Sequence, residues 1–259
     1  MEFQDILYEK KNEVAKITIN RPQAYNAFTT NTLKELTQAF GDAALDHGVG
    51  VVVFTGAGDK AFCTGGDMKE AAQPGGYNKD LVYWHSALHR IIRNIDKPVI
   101  AAVNGYAIGG GNILQLVCDL TIAAENARFG QAGPRVGSFD AGLGVSYLAR
   151  VVGEKKAKEI WFLCRQYTAQ EALEMGLVNA VVPLDKLEEE VDKWCQEILL
   201  LSPTAHKFAK LAFAAETDHQ LGFDKWSEAA VRMFWNTEEA AEAKKAFAEK
   251  RKADFSKYR

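Results

Sequence analysis

Three consecutive glycines, Gly109 to Gly111, follow an apolar stretch at residues 98–103 and precede an apolar segment that is typical of a helix. Glycine is costly to order, so a run of three indicates that the backbone itself must approach something closely. At the start of a helix the backbone N–H groups lack partners within the helix, and the helix dipole favours negative charge. Such a turn could bind a phosphate group or stabilise an oxyanion that develops during a reaction. The alternative is a tight turn that packs against a neighbouring element.

A second glycine turn, at Gly65 and Gly66, follows the apolar stretch at residues 49–55. Continuous apolar runs of this length are typical of strands that are buried in a parallel sheet. In open parallel sheets, ligands bind beside the carboxyl ends of the strands. We therefore expect the two glycine turns to lie at one site.

Strands and helices alternate through the first half of the chain, and helices dominate the second half. The spacing of apolar residues predicts strands at 6–9 and 14–19 as a hairpin, further strands at 49–55, 99–103 and 120–124, and helices at 30–45 and 81–95. Beyond Gly130 it predicts helices at 146–152, 155–163, 169–175, 184–200, 204–217 and 222–255, with a brief strand at 178–182. We therefore predict an α/β protein with a core over residues 1–200 and a helical region over residues 201–259.

Composition excludes several classes of function. The chain has 259 residues, of which 47% are hydrophobic and 25% charged, and a formal net charge of -3, so it carries no basic footprint for nucleic acid or an anionic membrane. No apolar run approaches the ~20 residues that a bilayer crossing needs, and the charged N-terminus is unlike a signal peptide.

The four cysteines lie far apart, which predicts neither disulfides nor zinc and favours a reducing cytoplasm. The histidines at 85, 89, 206 and 219 lack ligand spacing, so we expect them at the surface or behind the site, without a metal.

Five sequence motifs occur together in a characteristic order. They are NRP at 20–22 with NAF at 26–28, AFCTGGD at 61–67, KPVIAAVNGYAIGGG at 97–111, CD at 118–119, and FGQ at 129–131. This order closely resembles the crotonase (enoyl-CoA hydratase/isomerase) superfamily over essentially the whole chain. The resemblance implies a ClpP-like spiral of ββα units, and a helical C-terminal region that serves trimerisation and covers the site. It also implies trimers that often pair into hexamers, and an acyl-CoA thioester substrate.

The resemblance also assigns roles to single residues. It implies that the backbone N–H groups of Gly66 and Gly110 form an oxyanion hole for the thioester oxygen, where one donor is typically worth ~3 to 4 kcal/mol. It implies contacts to CoA from Tyr25, Ala27, Thr64, Asp67, Met68, Lys69 and Lys250. For the two lysines, a solvated surface position is the alternative. No tightly bound cofactor is expected, since the CoA thioester is the substrate.

The pair of glutamates that hydratases of this superfamily use is absent. At the matching positions this chain has Ile113 and Gly133, neither of which can transfer a proton, so hydration of an enoyl-CoA is not expected. A carboxylate follows at Asp140, next to Ser138 in a glycine-rich turn. Inside a crotonase frame these two residues lie where the acyl group should be. The alternative is that they cap the helix expected to begin near Gly144.

Residues 130–161 resemble two enzyme groups within the superfamily. One is 1,4-dihydroxy-2-naphthoyl-CoA synthase, which closes a ring by a Claisen-type condensation, and the other is 2-ketocyclohexanecarboxyl-CoA hydrolase, which opens one with water. Both share a thioester enolate, a serine and aspartate pair, and a glycine in place of the hydratase glutamate. In the synthase that glycine leaves room for a bicarbonate base, and Gly133 would leave the same room. Tyr25, Ala71 and Asn112 favour the hydrolase, because the synthase has arginine at the first two positions and usually histidine at the third.

Two aromatic residues bear on the acyl pocket. Both enzyme groups have tyrosine at the position of Trp235, and an indole N–H can donate a hydrogen bond but cannot accept one. The pocket would then suit a different, larger alicyclic group, or Trp235 is a core aromatic beside Phe234. Tyr77 matches the tyrosine of the mobile loop over the synthase site, although such residues are also common in turns.

The leading hypothesis is hydrolytic ring opening of a cyclic β-ketoacyl-CoA. The alternatives are ring closure and a catalytically silent acyl-CoA-binding homologue.

Overall fold

A computed structural model describes residues 2–73, 79–139 and 142–258 of the chain. Its strands are β1 (Ile6–Lys11), β2 (Val14–Ile19), β3 (Val51–Gly56), β4 (Ala61–Cys63), β5 (Val99–Val103), β6 (Tyr106–Ile108), β7 (Leu120–Ala124), β8 (Arg128–Gly130), β9 (Gln166–Thr168) and β10 (Ala180–Val182). Its helices are α1 (Thr30–Leu45), α2 (Met68–Ala71), α3 (Lys79–Asn94), α4 (Gly110–Leu116), α5 (Gly133–Val136), α6 (Ser146–Val152), α7 (Glu154–Leu163), α8 (Ala169–Glu174), α9 (Leu187–Leu199), α10 (Pro203–Thr217), α11 (Leu221–Trp235) and α12 (Glu238–Ala248).

The larger sheet has the strand order β1-β2-β3-β5-β7-β10 within the described residues. Only its first pair, the predicted hairpin β1 and β2, is antiparallel; the other neighbours in this order are parallel. The central strands β3 and β5 read VVVFTG and VIAAV and are almost wholly buried. Such unbroken apolar runs suit parallel strands, which are covered on both faces.

A second, smaller sheet has the order β4-β6-β8-β9 in the described part of the chain. Its strands are three residues long, and three of them follow directly on strands of the larger sheet: β3 leads to β4, β5 to β6, and β7 to β8. A helix comes after each such pair, so the chain repeats a ββα unit, and the predicted crotonase-type α/β spiral is confirmed. The sequence does not predict these short strands, because three residues carry no readable periodicity.

The helix α1 shows how local sequence and the core agree. It begins after Thr29, whose hydroxyl accepts a hydrogen bond from the Thr32 N–H at 3.1 Å, while the Thr32 hydroxyl accepts from the Thr29 N–H at 3.0 Å. This reciprocal cap fixes the start of the helix. Leu33, Leu36 and Phe40 on its inner face are fully buried in the main hydrophobic core, which explains the predicted helical spacing.

The C-terminal region is helical as expected, and the long helical region predicted at 222–255 contains two helices. α11 ends at Trp235, and α12 begins after Thr237, whose hydroxyl accepts a hydrogen bond from the Ala240 N–H at 3.2 Å. Threonine favours a helix N-cap, and two glutamates follow in the first turn, where the helix dipole favours negative charge. Of the helices that the structure describes, none has the length and apolar character needed to cross a membrane.

Candidate active site

The two glycine turns meet at the ring of Phe28, as the sheet-edge argument predicts. A Cβ atom placed on Gly110 would lie 2.8 Å from Cε1 and Cζ of Phe28 and 3.4 Å from Cα of Gly65. A Cβ atom on Gly66 would lie 3.6 Å from Cε2 of the same ring. The small sheet produces this meeting, because β4 leads into one turn and its parallel neighbour β6 leads into the other. Gly111 makes the approach possible, since a Cβ atom there would lie 1.9 Å from the carbonyl oxygen of Cys63.

Backbone hydrogen bonds hold the turn at Gly66 against Phe28 on both sides. The Phe28 N–H donates to the Gly65 carbonyl at 2.8 Å, and the Asp67 N–H donates to the Phe28 carbonyl at 2.8 Å. Gly66 lies between these bonds and is exposed, and Gly110 is partly exposed. Among the described residues, no backbone carbonyl accepts a hydrogen bond from the N–H of Gly66 or of Gly110. Two glycines whose N–H groups bond to no backbone carbonyl of the described residues therefore lie beside one aromatic ring.

The side chain of Asn26 organises the approach to Phe28. Its Nδ2 donates to the carbonyl of Ala61 at 2.6 Å and to that of Ala57 at 3.0 Å, and its Oδ1 accepts from the Arg21 N–H at 3.0 Å. Asn26 is fully buried and has a φ of 54°, a left-handed conformation that asparagine tolerates better than most residues. No role is predicted for it from the sequence. The sequence signal that could have indicated such a role is the position of Asn26 in the family motif NAF at 26–28, two residues before Phe28.

Several residues expected to contact CoA lie beside the glycine turns. The Thr64 hydroxyl donates to the Tyr25 carbonyl at 3.2 Å, and Tyr25 is 48% exposed. Ala27 is buried next to Phe28, Met68 begins α2, and Lys69 is exposed on α2.

Asp67 and Lys250 are two further residues for which a contact to CoA stays a prediction. Both carboxylate oxygens of Asp67 are engaged within the protein: Oδ1 accepts from the Lys69 N–H at 2.8 Å, and Oδ2 accepts from the Arg21 guanidinium at 2.9 Å. Burial raises the pKa of the Asp67 carboxyl, but the hydrogen bonds from Arg21 and the backbone outweigh it and lower that pKa overall. Lys250 is exposed beyond α12, and none of its hydrogen bonds in the described part of the chain links it to the glycine turns.

The two positions that hold glutamates in hydratases carry no polar side chain in this protein. Ile113 is 3% exposed on α4 and belongs to the main core. Gly133 begins α5, and a Cβ atom there would lie 2.9 Å from the Ser138 carbonyl oxygen and 2.9 Å from Cα of Phe139. Gly133 is therefore needed for the close approach of these two backbone segments. A bicarbonate at Gly133 stays a prediction.

Of the expected serine and aspartate pair, the structure describes only Ser138. The Ser138 hydroxyl donates to the Phe139 carbonyl at 3.2 Å, and the Ser138 N–H donates to the Gly133 carbonyl at 2.9 Å. The helix α6 begins at Ser146, so Ser138 does not occupy its N-cap position. The capping alternative therefore fails for Ser138. The expectations for Asp140 and Tyr77 fall on residues outside the described ranges.

Trp235 lies at the corner between α11 and α12 and is buried, with 8% of its surface exposed. The Lys244 ammonium lies 4.1 Å from the centroid of its indole ring and donates to the Trp235 carbonyl at 2.8 Å. Burial lowers the pKa of Lys244. The helix α12 also packs against the end of α5, since a Cβ atom on Gly137 would lie 2.5 Å from the Ala240 carbonyl oxygen. The C-terminal helices of the chain therefore pack next to the Gly133–Ser138 segment.

Two buried histidines stand behind Phe28. The rings of His85 and His89, one turn apart on α3, have centroids 4.2 Å apart, and the His85 centroid is 5.5 Å from that of Phe28. They are 6% and 0% exposed, so the expected surface position is wrong for both, and a position behind the site stays a prediction. Burial, helped by the charges of His85 and nearby arginines, holds the pKa of His89 well below its usual range.

The Cys63 thiol is also buried beside the turns, and burial raises its pKa to about 12, so it stays protonated.

These observations define an α/β protein built from ββα units, with two glycine turns that lie together at the ends of neighbouring parallel strands. The chain belongs to the enoyl-CoA hydratase/isomerase family, because the family model described as "Enoyl-CoA hydratase/isomerase" matches residues 9–258. It is therefore a crotonase-family protein that processes acyl-CoA substrates, and members of that family are typically oligomeric.

Solved structures of related proteins support this assignment. An enoyl-CoA hydratase from Mycobacterium avium subsp. paratuberculosis K-10 is 31% identical and has a TM-score of 0.88, with 98% of this chain and 100% of that chain covered. A carnitinyl-CoA hydratase from Mycobacterium avium is 33% identical, with a TM-score of 0.88 and coverage of 99% and 100%. An enoyl-CoA hydratase/isomerase from Xanthobacter autotrophicus Py2 is 35% identical, with a TM-score of 0.84 and coverage of 96% and 93%.

Proposed function

We propose that this protein opens the ring of a cyclic β-ketoacyl-CoA by hydrolysis, through a thioester enolate that the N–H groups of Gly66 and Gly110 stabilise. Two features at one site together support this proposal. Both backbone donors border the Phe28 ring, while Ile113 and Gly133 occupy the positions of the hydratase glutamates. The site thus keeps the means to stabilise a thioester oxyanion and lacks the pair of groups that hydration requires.

The reaction can be written so that atoms and electrons balance. Water adds to the ring ketone, and its proton passes to a base. The bond between the former ketone carbon and the α-carbon of the thioester then breaks, and its electron pair forms the enolate. The two N–H donors hold the enolate oxygen, and protonation of the α-carbon gives a product with one free carboxylate and one CoA thioester. In this proposal Asp140 and Ser138 carry the proton transfers, because neither Ile113 nor Gly133 can do so.

Ring closure of the naphthoyl-CoA synthase type is the second candidate, because residues 130–161 resemble that enzyme group as well. It would use the same enolate and the same donors in a Claisen-type condensation. The close approach of Ser138 and Phe139 to Gly133 weighs against it, because the bicarbonate base of the synthase would need space there.

Hydration is the reaction named for two of the related structures, and the lack of proton-transferring side chains at positions 113 and 133 weighs against it here.

The test is mass spectrometry of products after incubation with a panel of cyclic β-ketoacyl-CoA esters, with crotonyl-CoA and an aryl-butanoyl-CoA that carries an ortho-carboxyl group as comparison substrates. We expect a product heavier by one water from at least one cyclic ester. Labelled water should place its oxygen in the new carboxylate. Efficient hydration of crotonyl-CoA would overturn the proposal. Loss of one water from the aryl-butanoyl ester would favour ring closure, and binding without turnover across the panel would favour a silent homologue.

A further inference from the structure

A salt bridge between Arg21 and Asp67 lies directly beside the turn that carries the Gly66 donor. Nη2 of Arg21 donates to Oδ2 of Asp67 at 2.9 Å, and the two side chains are only 15% and 11% exposed. The same guanidinium donates from Nη1 to the carbonyl of Ala27. One rigid, planar group therefore binds the chain both before Phe28 and after Gly66.

The backbone between these two anchor points is the part that presents the donor. Phe28 forms a β-bridge with Gly66, closed by the hydrogen bonds from Phe28 to Gly65 and from Asp67 to Phe28, each 2.8 Å long. Arg21 links residues at the two ends of this bridge, Ala27 and Asp67. Gly65 has a φ of 88°, a region in which its lack of Cβ gives wide freedom. The Gly65 carbonyl and the Gly66 N–H belong to one peptide, so the direction of this N–H depends on where Phe28 and Asp67 are held.

The guanidinium is not available for another task. Besides Asp67 it faces Asp5, whose Oδ1 lies 3.6 Å from Nε. The Asp5 carboxylate is itself tied to the protein, since its Oδ2 accepts from the hydroxyls of Thr29 at 3.0 Å and Thr32 at 2.6 Å. Two carboxylates thus surround one arginine, which excludes Arg21 as a free cation for the CoA phosphates.

We propose that Arg21 and Asp67 are positioning residues that hold the Gly66 N–H in the direction of the thioester oxygen. The proposal rests on the proposed function in one respect, that Gly66 is an oxyanion-hole donor. The physical reason is that such a donor acts only when it is aimed at the oxygen before the reaction begins. A misplacement of about 1 Å in an active site can cost ~100-fold in rate.

Asp67 has a second role, and one substitution separates the two. Its Oδ1 caps α2 by accepting from the N–H groups of Lys69 and Glu70, while Oδ2 binds Arg21. In Asp67→Asn the remaining carbonyl oxygen can still cap the helix, since asparagine caps about as well as aspartate. The charge-assisted bond to Arg21 is lost. Arg21→Lys is the complementary variant, because it keeps the charge but a single ammonium cannot span Ala27 and Asp67 as the planar guanidinium does.

The matched control is Asp42→Asn, the same chemical change in another ion-paired carboxylate. Asp42 accepts a hydrogen bond from the Tyr8 hydroxyl at 2.8 Å and pairs with Lys10, so it joins β1 to α1 away from the glycine turns. A loss of stability alone should affect this variant and Asp67→Asn alike. Only a change in donor geometry should separate them.

The experiment measures how strongly the protein polarises a thioester carbonyl. Cyclohexanecarboxyl-CoA, labelled with carbon-13 at the thioester carbonyl, is bound to each protein, and the carbonyl stretch is recorded by infrared difference spectroscopy. We expect the unmodified protein and Asp42→Asn to shift this band to lower wavenumber, and Asp67→Asn and Arg21→Lys to lose most of the shift. With an active cyclic ester, kcat should fall ~10- to 100-fold in these two variants while KM changes little.

The outcomes separate this inference from the proposed function. An unmodified protein that binds the labelled ester without any shift would overturn Gly66 and Gly110 as oxyanion donors, and with them the proposed function. A normal shift in the unmodified protein that persists in both variants would overturn the positioning role alone. An equal loss of shift in Asp42→Asn would also overturn it, since general destabilisation would then explain the effect.

Discussion

At Gly111 the presence of a single hydrogen atom in place of a side chain decides whether the site can form. A Cβ atom there would overlap the carbonyl group of Cys63, so α4 could not begin where it does against β4. Gly133 is constrained in the same way by the backbone of Ser138 and Phe139. Glycine at these two positions serves close backbone approach, whereas Gly66 and Gly110 are the donors in the proposed function.

The change Gly111→Ala should therefore destabilise the protein and abolish activity. Inserting a methyl group against the main chain of β4 forces a backbone shift, which typically costs ~1 to 3 kcal/mol. Chemical denaturation and turnover are the measurements. Gly222→Ala on α11 is the control, because a Cβ atom there meets nothing within 4 Å and alanine favours a helix. Equal stability of the two variants would contradict the overlap.

Asp140 carries the proton transfer in the proposed reaction, and Asp140→Asn tests this. The substitution keeps size and capping ability and removes the exchangeable proton, so the chemical step should slow by ~100- to 10,000-fold. Thermal stability and binding of the CoA ester should change little, since asparagine caps as well as aspartate. Turnover and thermal midpoint are measured on the same preparation. A normal rate would return Asp140 to a structural role.

The buried His89 predicts a pH dependence of stability. Its folded pKa lies well below the ordinary value, first because of burial and then because of the charges of His85, Arg90 and Arg93. Below about pH 6.5 the unfolded chain binds a proton at this histidine that the folded protein does not, so stability is present above that pH and falls as the pH decreases towards the folded pKa.

The expected slope from this one group is at most about 1.4 kcal/mol of unfolding free energy per pH unit. Urea denaturation between pH 5 and 8 measures it, and His89→Gln should flatten the curve below pH 6.5. The difference between the two proteins should be constant near pH 8, where histidine is neutral in both states. Parallel curves down to pH 5 would exclude His89 as the cause.

At the scale of elements, a partly buried ion pair fixes α10 to the main sheet. The Lys210 ammonium donates to Oδ2 of Asp119 at 2.6 Å and to the carbonyls of Ile92 at 3.0 Å and Lys97 at 2.9 Å. The same Asp119 oxygen accepts from the Val99 N–H, at the first residue of β5, at 2.7 Å. The first helix of the C-terminal region is therefore anchored to the sheet.

Lys210→Met should destabilise the protein by about 3 kcal/mol, because it leaves the Asp119 carboxylate without its charged partner. This is the lower end of the range for buried pairs, since the Asp119 side chain is 30% exposed. Glu216→Gln, which breaks the exposed pair between Arg150 and Glu216, should cost less than about 1 kcal/mol. Denaturant midpoints of both variants decide the comparison. Similar small losses in the two would show that the Lys210 pair contributes little.

At the scale of the whole molecule, large apolar side chains remain exposed on the C-terminal helices. Phe208 and Phe213 on α10 are 63% and 75% exposed, and Met233 on α11 is 76% exposed. Contiguous apolar patches mark surfaces that bind another protein, whereas single exposed apolar residues are common. We propose a homotrimer or homohexamer that buries them, with the C-terminal region forming the contact.

Phe213→Glu should then lower the mass of the assembly, because burying a carboxylate in an apolar interface is costly. Sedimentation velocity gives the mass of each protein. Leu45→Glu is the control, since Leu45 is 82% exposed at the end of α1, outside the C-terminal region, and should leave the assembly intact. A monomeric unmodified protein would contradict the proposed oligomer.

The sequence alone determined the elements that have a strong period or a clear boundary. It predicts α1 at the residues where the helix is found, because one apolar face marks it locally. It predicts β5 and β7 equally well, because unbroken apolar runs of this length are typical of strands buried on both faces. The five ordered motifs identify the family, and the meeting of the two glycine turns follows from the rule for parallel sheets.

Only the tertiary structure decided how those pieces make a site. The strands β4, β6, β8 and β9 exist through pairing with partners distant in sequence, so three residues contain no local signal for them. The Arg21 and Asp67 bridge spans 46 positions, and the histidines behind Phe28 depend on which face of α3 turns inward. The backbone that fills the space beside Gly133 is likewise invisible in the sequence. In each case the cause is a contact between segments that are far apart along the chain, and the sequence pattern reports only neighbours.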